Sequence, residues 1–401
     1  MEPPDAASTP QQNANRSTPR ISVIPLVVVA LVIIATGVWF SGLGSYLLQR
    51  AAYTPAPPTF SGKSDSLQQT VIVPTLDSPC PPNKNVIWCS SFQLAWNEVR
   101  DRVIGAPLQV VGAEEVAARL NQAKQSISDL ESNSFYAAGG RIGEGVIDKI
   151  KRDMDAKFPS HPLPDLDQYA GGPEDRGILA YSYLTAKALF KYPFEQGKKG
   201  LSFTDSQGVK TEVEDFGCWP NPELKNERIR KQVDVLFYSG DGMPDLGEYA
   251  IDLCRYSRPY QVVVAAVRPR DSLAETLAHT RQEIERFRTS PYSKEMARLR
   301  TNDVVAVPEM LWKIEHHFSE LIGRVVANAN PAMPILEALQ TTEFKLDRSG
   351  AAVESEALIV IKATPREFIF NRPFLVYMQK RGAERPFFVM WVDNAELLTR
   401  K

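Results

Sequence analysis

The stretch from Ile21 to Leu48 carries no charged residue, and no other feature of the chain limits its folding so tightly. Its centre, Val23 to Phe40, reads V-I-P-L-V-V-V-A-L-V-I-I-A-T-G-V-W-F. A helix rising about 1.5 Å per residue through this region is long enough to cross a hydrocarbon core of roughly 30 Å. Trp39, Phe40 and Tyr46 suit the far interface. A cleaved signal peptide would have a shorter apolar region followed directly by a small-x-small site, and no compelling one follows here. The expectation is therefore a transmembrane helix over 21–48. Arg16 and Arg20 precede it and only Arg50 lies close behind, which orients the N-terminus toward the cytoplasm. Residues 1–20, rich in Pro, Ser, Thr, Gln and Asn, are expected to be a disordered cytoplasmic tail. The rest of the chain would then lie outside the cytoplasm, anchored to the membrane as a single-pass protein.

The 46 basic and 48 acidic residues are spread along the chain and leave a net charge of -2, so no electrostatic footprint for a nucleic acid exists. Residues 49–84 hold Pro55, Pro57, Pro58, Pro74, Pro79, Pro81 and Pro82, which predicts an extended stalk rather than packed structure. From residue 85 to 401, helical stretches such as 114–131 and 273–287 alternate irregularly with strands such as 260–267, 357–361 and 387–392. The last part is almost all strand, which argues for a mixed α+β domain. An extracytoplasmic setting would allow the four cysteines to pair in three ways. Cys80 and Cys89, eight residues of short closable loop apart, are the favoured pair, leaving Cys218 with Cys254 by default. Four free thiols are the alternative.

Catalytic constellations are missing from the sequence. It has no Gly-x-Ser-x-Gly, His-Glu-x-x-His, Gly-x-x-x-x-Gly-Lys or Cys-x-x-Cys, and only four histidines: His161, His279, His316 and His317. The adjacent pair cannot share a helix face as metal ligands, and reads as the solvated start of a helix. Asp241 to Asp245 resembles half of a calcium loop, but Phe237 and Ser239 stand where its first ligands should be, so an acidic turn is the reading. Asp165 and Asp245 could be paired for acid–base work only by free choice. No enzyme, metal, cofactor or small-molecule substrate is expected.

The strongest signal is Phe368-Ile-Phe-Asn-Arg-Pro-Phe-Leu-Val-Tyr-Met378. With Phe370, Asn371, Arg372, Pro373 and Phe374 at its centre, it resembles the serpin signature. Arg385 to Asn394 is similar to that family's closing strand, with Trp391 in place of a turn glycine. Asn85 to Ser90 resembles the opening of helix B, and Tyr183 to Phe194 resembles the family's Asn-Tyr-x-x-Phe-Lys-Gly-x-Trp-x-x-Pro-Phe region. Tyr249 to Leu253 with Gln261 to Pro269 resembles the central strands of sheet B. Asp303 to Pro308 resembles a strand that ends before a helix. The resemblance covers about 85–401. It implies a large mixed sheet, a smaller barrel-like sheet pair and surrounding helices, all preceded here by the transmembrane helix.

Such a protein has no catalytic residues. The resemblance implies that a serine protease cleaves an exposed loop, which then inserts as a new strand into the large sheet and traps the enzyme. The corresponding loop runs from Gly350 to Phe370. Ala351, Val353, Ser355, Ala357, Ile359 and Ile361 fall on one strand face, while Ala352, Glu354 and Glu356 fall on the other. Insertion requires that alternation, and a permanently paired edge strand would show it too. Counting back from Phe370 by the family's spacing puts the scissile bond between Lys362 and Ala363; Lys362 also suits a charge that ends a strand. Several positions depart from the family. Arg348 stands for a common Glu, Gln340 for a histidine beneath the sheet, Ser182 for its Asn partner, and Cys89 and Ser90 for Ser-Pro. The stretch 158–181 is too short for the usual helix across sheet A, and no helix A precedes Asn85. Two functions follow from these observations: a membrane-anchored protease inhibitor, or a non-inhibitory binding or structural module of the same fold.

Overall fold

A computed structural model describes residues 58–170, 177–187, 189–220, 227–239, 247–349 and 365–401, all within one compact unit, 54–401. In chain order its main elements are β1 (Phe60–Lys63), β2 (Thr70–Ile72), β3 (Asn85–Cys89), α1 (Ser90–Glu98) and α2 (Glu114–Gln122). Next come β4 (Phe135–Arg141), α3 (Val146–Lys157), β5 (Ile178–Lys187), β6 (Asp215–Cys218), β7 (Asp234–Tyr238), β8 (Tyr249–Asp252), β9 (Tyr260–Ala266) and α4 (Leu273–Thr289). The C-terminal run is β10 (Val304–Pro308), β11 (Met310–His317), β12 (Met333–Leu346), β13 (Glu367–Ile369), β14 (Phe374–Lys380) and β15 (Pro386–Val392).

Two large sheets face each other. The first is ordered β1-β11-β12-β5-β4, with short strands at 110–111 and 325–326 extending it beside the start of β12. The second is ordered β7-β8-β9-β14-β15-β3-β2. The third, smaller sheet runs β13-β10-β6 and ends on residues 195–196. The main core lies between the large sheets. Trp312 and Phe344 on one meet Phe388 on the other, and the Phe344 and Phe388 rings stack at 4.5 Å. Full burial of such a ring contributes about 1.5–3 kcal/mol. Period-2 alternation then directs the remaining apolar side chains outward to two further layers. Leu179, Tyr181 and Leu339 meet Ile147, Ile150 and Met154 of α3, whereas Val263, Leu375 and Val389 meet Leu273 and Leu277 of α4.

The mixed α+β arrangement agrees with the sequence reading, but four details are corrected. The stalk expected over 49–84 is packed from Thr59 onward. Its prolines stop at Pro58 and resume at Pro74, which leaves 59–73 free to donate backbone N–H groups. There β1 joins the first sheet parallel to β11, and β2 joins the second parallel to β3. The expected helix 114–131 stops at Gln122, and Ser126 and Asp129 form a capping box on a separate short turn. Pro308 is followed by a strand instead of a helix, so His316 and His317 end β11 and point to opposite faces. A helix does lie across the first sheet. It is α3, upstream of the segment judged too short to hold one. The span 21–48 lies outside the described residues, among which no helix is long and apolar enough to cross a membrane.

Candidate functional site

The chain between β12 and β13 is fixed at both ends by buried polar anchors. Upstream, Asp347 is fully buried and accepts hydrogen bonds from the Ser349 N–H at 3.0 Å and from the Ser349 hydroxyl, while Lys345 pairs with it at 3.0 Å. The Arg348 and Ser349 carbonyls accept from Phe194 and Phe190 at 3.0 and 3.3 Å. Downstream, the Arg366 guanidinium donates to Asp303 Oδ2 through Nε at 3.1 Å and Nη2 at 2.7 Å, and the Arg366 N–H reaches Oδ1 at 2.9 Å. Both side chains are almost fully buried. The remaining guanidinium donors go to the carbonyls of Met296 and Arg298. This is the pairing and hydrogen bonding that a buried charge requires. Sequence reading missed Asp303, Asp347 and Arg366 as anchors, because none is marked by a local spacing.

Between these ends lie Gly350, Ala351, Val353, Ser355, Ala357, Lys362 and Ala363, all outside the described residues. The sheet beside them is described. β12 pairs with β5 directly and in parallel, with ten register partners from Ile335↔Ile178 to Lys345↔Lys187.

Under the ladder, on the main-core face, the departures noted in the sequence come together. Gln340 and Ser182 are register partners, and two residues along β12 the Thr342 hydroxyl lies 3.3 Å from the Cys89 thiol at the start of α1. Gln340 Oε1 and the hydroxyls of Ser90, Ser91 and Ser182 are buried with no hydrogen-bond partner. Each such group costs roughly 1–3 kcal/mol in the closed sheet. The outer face is mixed: the hydroxyls of Tyr181, Thr185 and Thr341 are likewise without a hydrogen-bond partner, while its carboxylates are paired. Tyr183 donates to Glu343 at 3.1 Å, Lys187 pairs with Glu343 at 2.9 Å, and Glu337 accepts from Tyr169 and lies 3.0 Å from His317 Nδ1.

The signature residues lie where the described chain resumes, in the floor beneath β13 and β14. Phe370 and Phe374 are fully buried with ring centroids 5.5 Å apart, and Tyr249 stands edge-on to Phe368 and Phe370 at 5.5 and 5.3 Å. The Asn371 carbonyl accepts from Thr204, and Arg372 donates to the Gly247 carbonyl at 2.7 Å. Pro373 leads into β14. These contacts make the segment structural rather than reactive.

The expected disulfides do not form, and all four cysteines are free thiols. Cys89 sits in the main core while Cys80 packs against the layer under α4, on the other face of the second sheet. A short loop therefore did not bring them together. Cys254 accepts a hydrogen bond from the Val262 N–H at 3.1 Å, and Cys218 is fully buried on β6. Burial pushes the Cys80 thiol up to about 11 and those of Cys89 and Cys218 to about 12, so none is a ready nucleophile. The other sequence candidates are dispersed. His161 stacks on Tyr183 at 4.1 Å with its pKa pushed down to about 4 by burial, and His279 lies 2.9 Å from Glu248. Asp165 accepts from the Asp167 N–H in a turn, and 241–245 lies outside the described residues. Among the described residues no cluster of three or more His, Cys, Asp or Glu could hold a metal.

No protein-family model matches the chain, and no curated protein does. Among solved structures it is similar to native protease nexin-1 with heparin, at 11% identity, TM-score 0.47, and coverage of 78% of this chain and 93% of that one. It is also similar to the serine protease inhibitor serpin-12 of Manduca sexta, at 13% identity, TM-score 0.34, and coverage of 63% and 66%. These likenesses concern the fold alone. The topology itself agrees with what the sequence resemblance implies: the signature segment enters the second sheet as β14, β8 pairs with β9 and β9 with β14, and β12 and β5 run parallel in the first.

Proposed function

We propose that the chain is a protease inhibitor whose segment 350–364 is cleaved by a serine protease and then inserts between β5 and β12. The carrying observation is the direct parallel pairing of β5 with β12 immediately before a segment anchored at both ends. A parallel pair can admit a strand that runs antiparallel to both, since the polypeptide turns back after β12. Insertion would bury Ala351, Val353, Ser355, Ala357, Ile359 and Ile361 and add ladder hydrogen bonds on both sides. The orphaned hydroxyls beneath the ladder weaken the closed state, which lowers the cost of opening it. On this reading the domain works outside the cytoplasm, held to the membrane by residues 21–48.

The test is to mix the full chain with trypsin and run a denaturing gel. The expected result is a gel-stable adduct, a cut after Lys362 and a higher melting temperature of the cleaved protein. Ala357→Arg should convert inhibitor into substrate. A cut without adduct or stabilisation would leave the second reading, a non-inhibitory binding or structural module. One observation favours that alternative: apart from a bulge at Ile335–Glu337, the β5–β12 ladder is unbroken through Lys345, and α3 packs across its outer face.

A further inference from the structure

Beside the upstream anchor, the chain builds an exposed stack of alternating cations and rings. Lys191 Nζ lies 5.5 Å from the Tyr192 ring centroid and 5.6 Å from that of Tyr256, so its ammonium is shared by two rings that stand edge-to-face at 6.5 Å. The Arg255 guanidinium covers Tyr256 at 5.4 Å, and that of Arg228 covers Tyr192 at 5.9 Å. Lys191 is exposed, Tyr256 is 41% exposed, and neighbouring Leu189 is 71% exposed. Such contacts are worth about 0.5–1 kcal/mol at exposed sites, enough to hold long side chains in place. Among the described residues Lys191 has no ion-pair partner. Arg255 reaches Asp234 only at 3.6 Å, and that carboxylate is closer to Arg298. Lys191 therefore presents a fixed positive charge with unused donors, beside the weakly paired Arg255.

We propose that this stack is a docking surface for an acidic segment of a partner protein. The partner class follows from what the surface offers. Each ring already has two of the chain's own cations within 6 Å of its centroid, which compete with bases or sugars for the ring faces. What remains is charge for carboxylates, an exposed leucine, and tyrosine and arginine, the residues that dominate protein-interface hot spots. Position adds to the argument. Phe190 and Phe194 bond the carbonyls of Ser349 and Arg348, so the stack flanks the point where the chain enters 350–364, within reach of any protein engaged there. Electrostatic complementarity of this kind speeds encounter and selects partners.

The probe is a fluorescent glutamate-rich peptide carrying one leucine, titrated into the full chain, with its glutamine counterpart as control. Binding should weaken as salt rises, and it should fall about tenfold in Lys191→Gln/Arg255→Gln, corresponding to about 1.4 kcal/mol. Tyr192→Leu/Tyr256→Leu, which keeps the charges but removes the rings that hold them, should weaken it several-fold. An unchanged melting temperature would confirm that each variant is folded, and a poorly folded variant is replaced by single Lys191→Gln. Equal binding of wild type and charge variant would overturn the proposal. So would tighter, equally Lys191-dependent binding of sulfated dextran or phosphatidylserine vesicles, since the surface would then serve a non-protein polyanion. Peptide binding needs no loop cleavage, so it stands or falls separately from adduct formation with trypsin.

Discussion

His317 joins two strands and a connecting turn through its two ring nitrogens. Nδ1 lies 3.0 Å from Glu337 on β12 and Nε2 lies 3.1 Å from Glu315 on β11, while Tyr169 donates to the same Glu337 oxygen. The hydrogen bond to Glu337 and the two carboxylate charges hold the imidazole above its ordinary 6.5. Its contribution to stability is thus complete below about 6.5 and is lost as the pH rises through the folded value. Burial pushes the Glu337 carboxyl up, but its hydrogen bonds from His317 and Tyr169 outweigh this and hold it below the ordinary 4.5. That contribution is present above 4.5 and lost in acid, so the cross-link is strongest between 4.5 and 6.5. His317→Gln should therefore lower the melting temperature most near pH 5.5 and progressively less above about pH 7. A constant deficit across that range would mean that packing alone holds the turn. A second residue-scale prediction concerns Asp303→Asn, which leaves the Arg366 guanidinium buried without its carboxylate. The expected loss is about 3–5 kcal/mol in denaturant unfolding, whereas a loss under about 1 kcal/mol would show the pair to be dispensable.

At the scale of elements, the segment 59–73 closes an edge of each large sheet. Beyond the β1 and β2 ladders, Glu396 accepts from the backbone N–H groups of Gln68 and Gln69 and from the Thr70 hydroxyl, and Ser64 lies 2.7 Å from His316 Nδ1. Removing it would bare two rows of unpaired backbone groups, which template aggregation. A chain that begins at Asn85 is expected to melt on the order of 10 °C lower than one that begins at Thr59 and to scatter light on standing. Equal melting would restore the stalk reading. Strands of the C-terminal half were legible because their side chains alternate within a few residues; β9, β15 and α4 lie close to where periodicity puts them. The helix expected over 114–131 was cut short where Ser126 and Asp129 cap a new turn. β1 and β2 stayed hidden because four and three residues carry too little pattern, and the prolines around them dominated the reading.

For the whole molecule, the proposed anchoring through 21–48 would take its orientation from the flanking charges, and it is tested apart from the fold. A periplasmic-type reporter fused after Lys401 should be active only outside the cytoplasm, because Arg16 and Arg20 precede the apolar span; activity inside would reverse the topology. Composition, the uncharged span, the strand-rich C-terminal half and the signature around Asn371 were determined by the sequence itself, since each is a local property readable within one segment. The tertiary structure alone decided that Ser182 meets Gln340, that Cys80 and Cys89 lie on opposite faces of a sheet, and that Asp303 clasps Arg366 across 63 positions of chain. The physical reason is that alternation specifies which face a side chain takes but not which strand will lie beside it. Closing a long loop costs little more than closing a short one, so the partner is chosen by packing of the whole core.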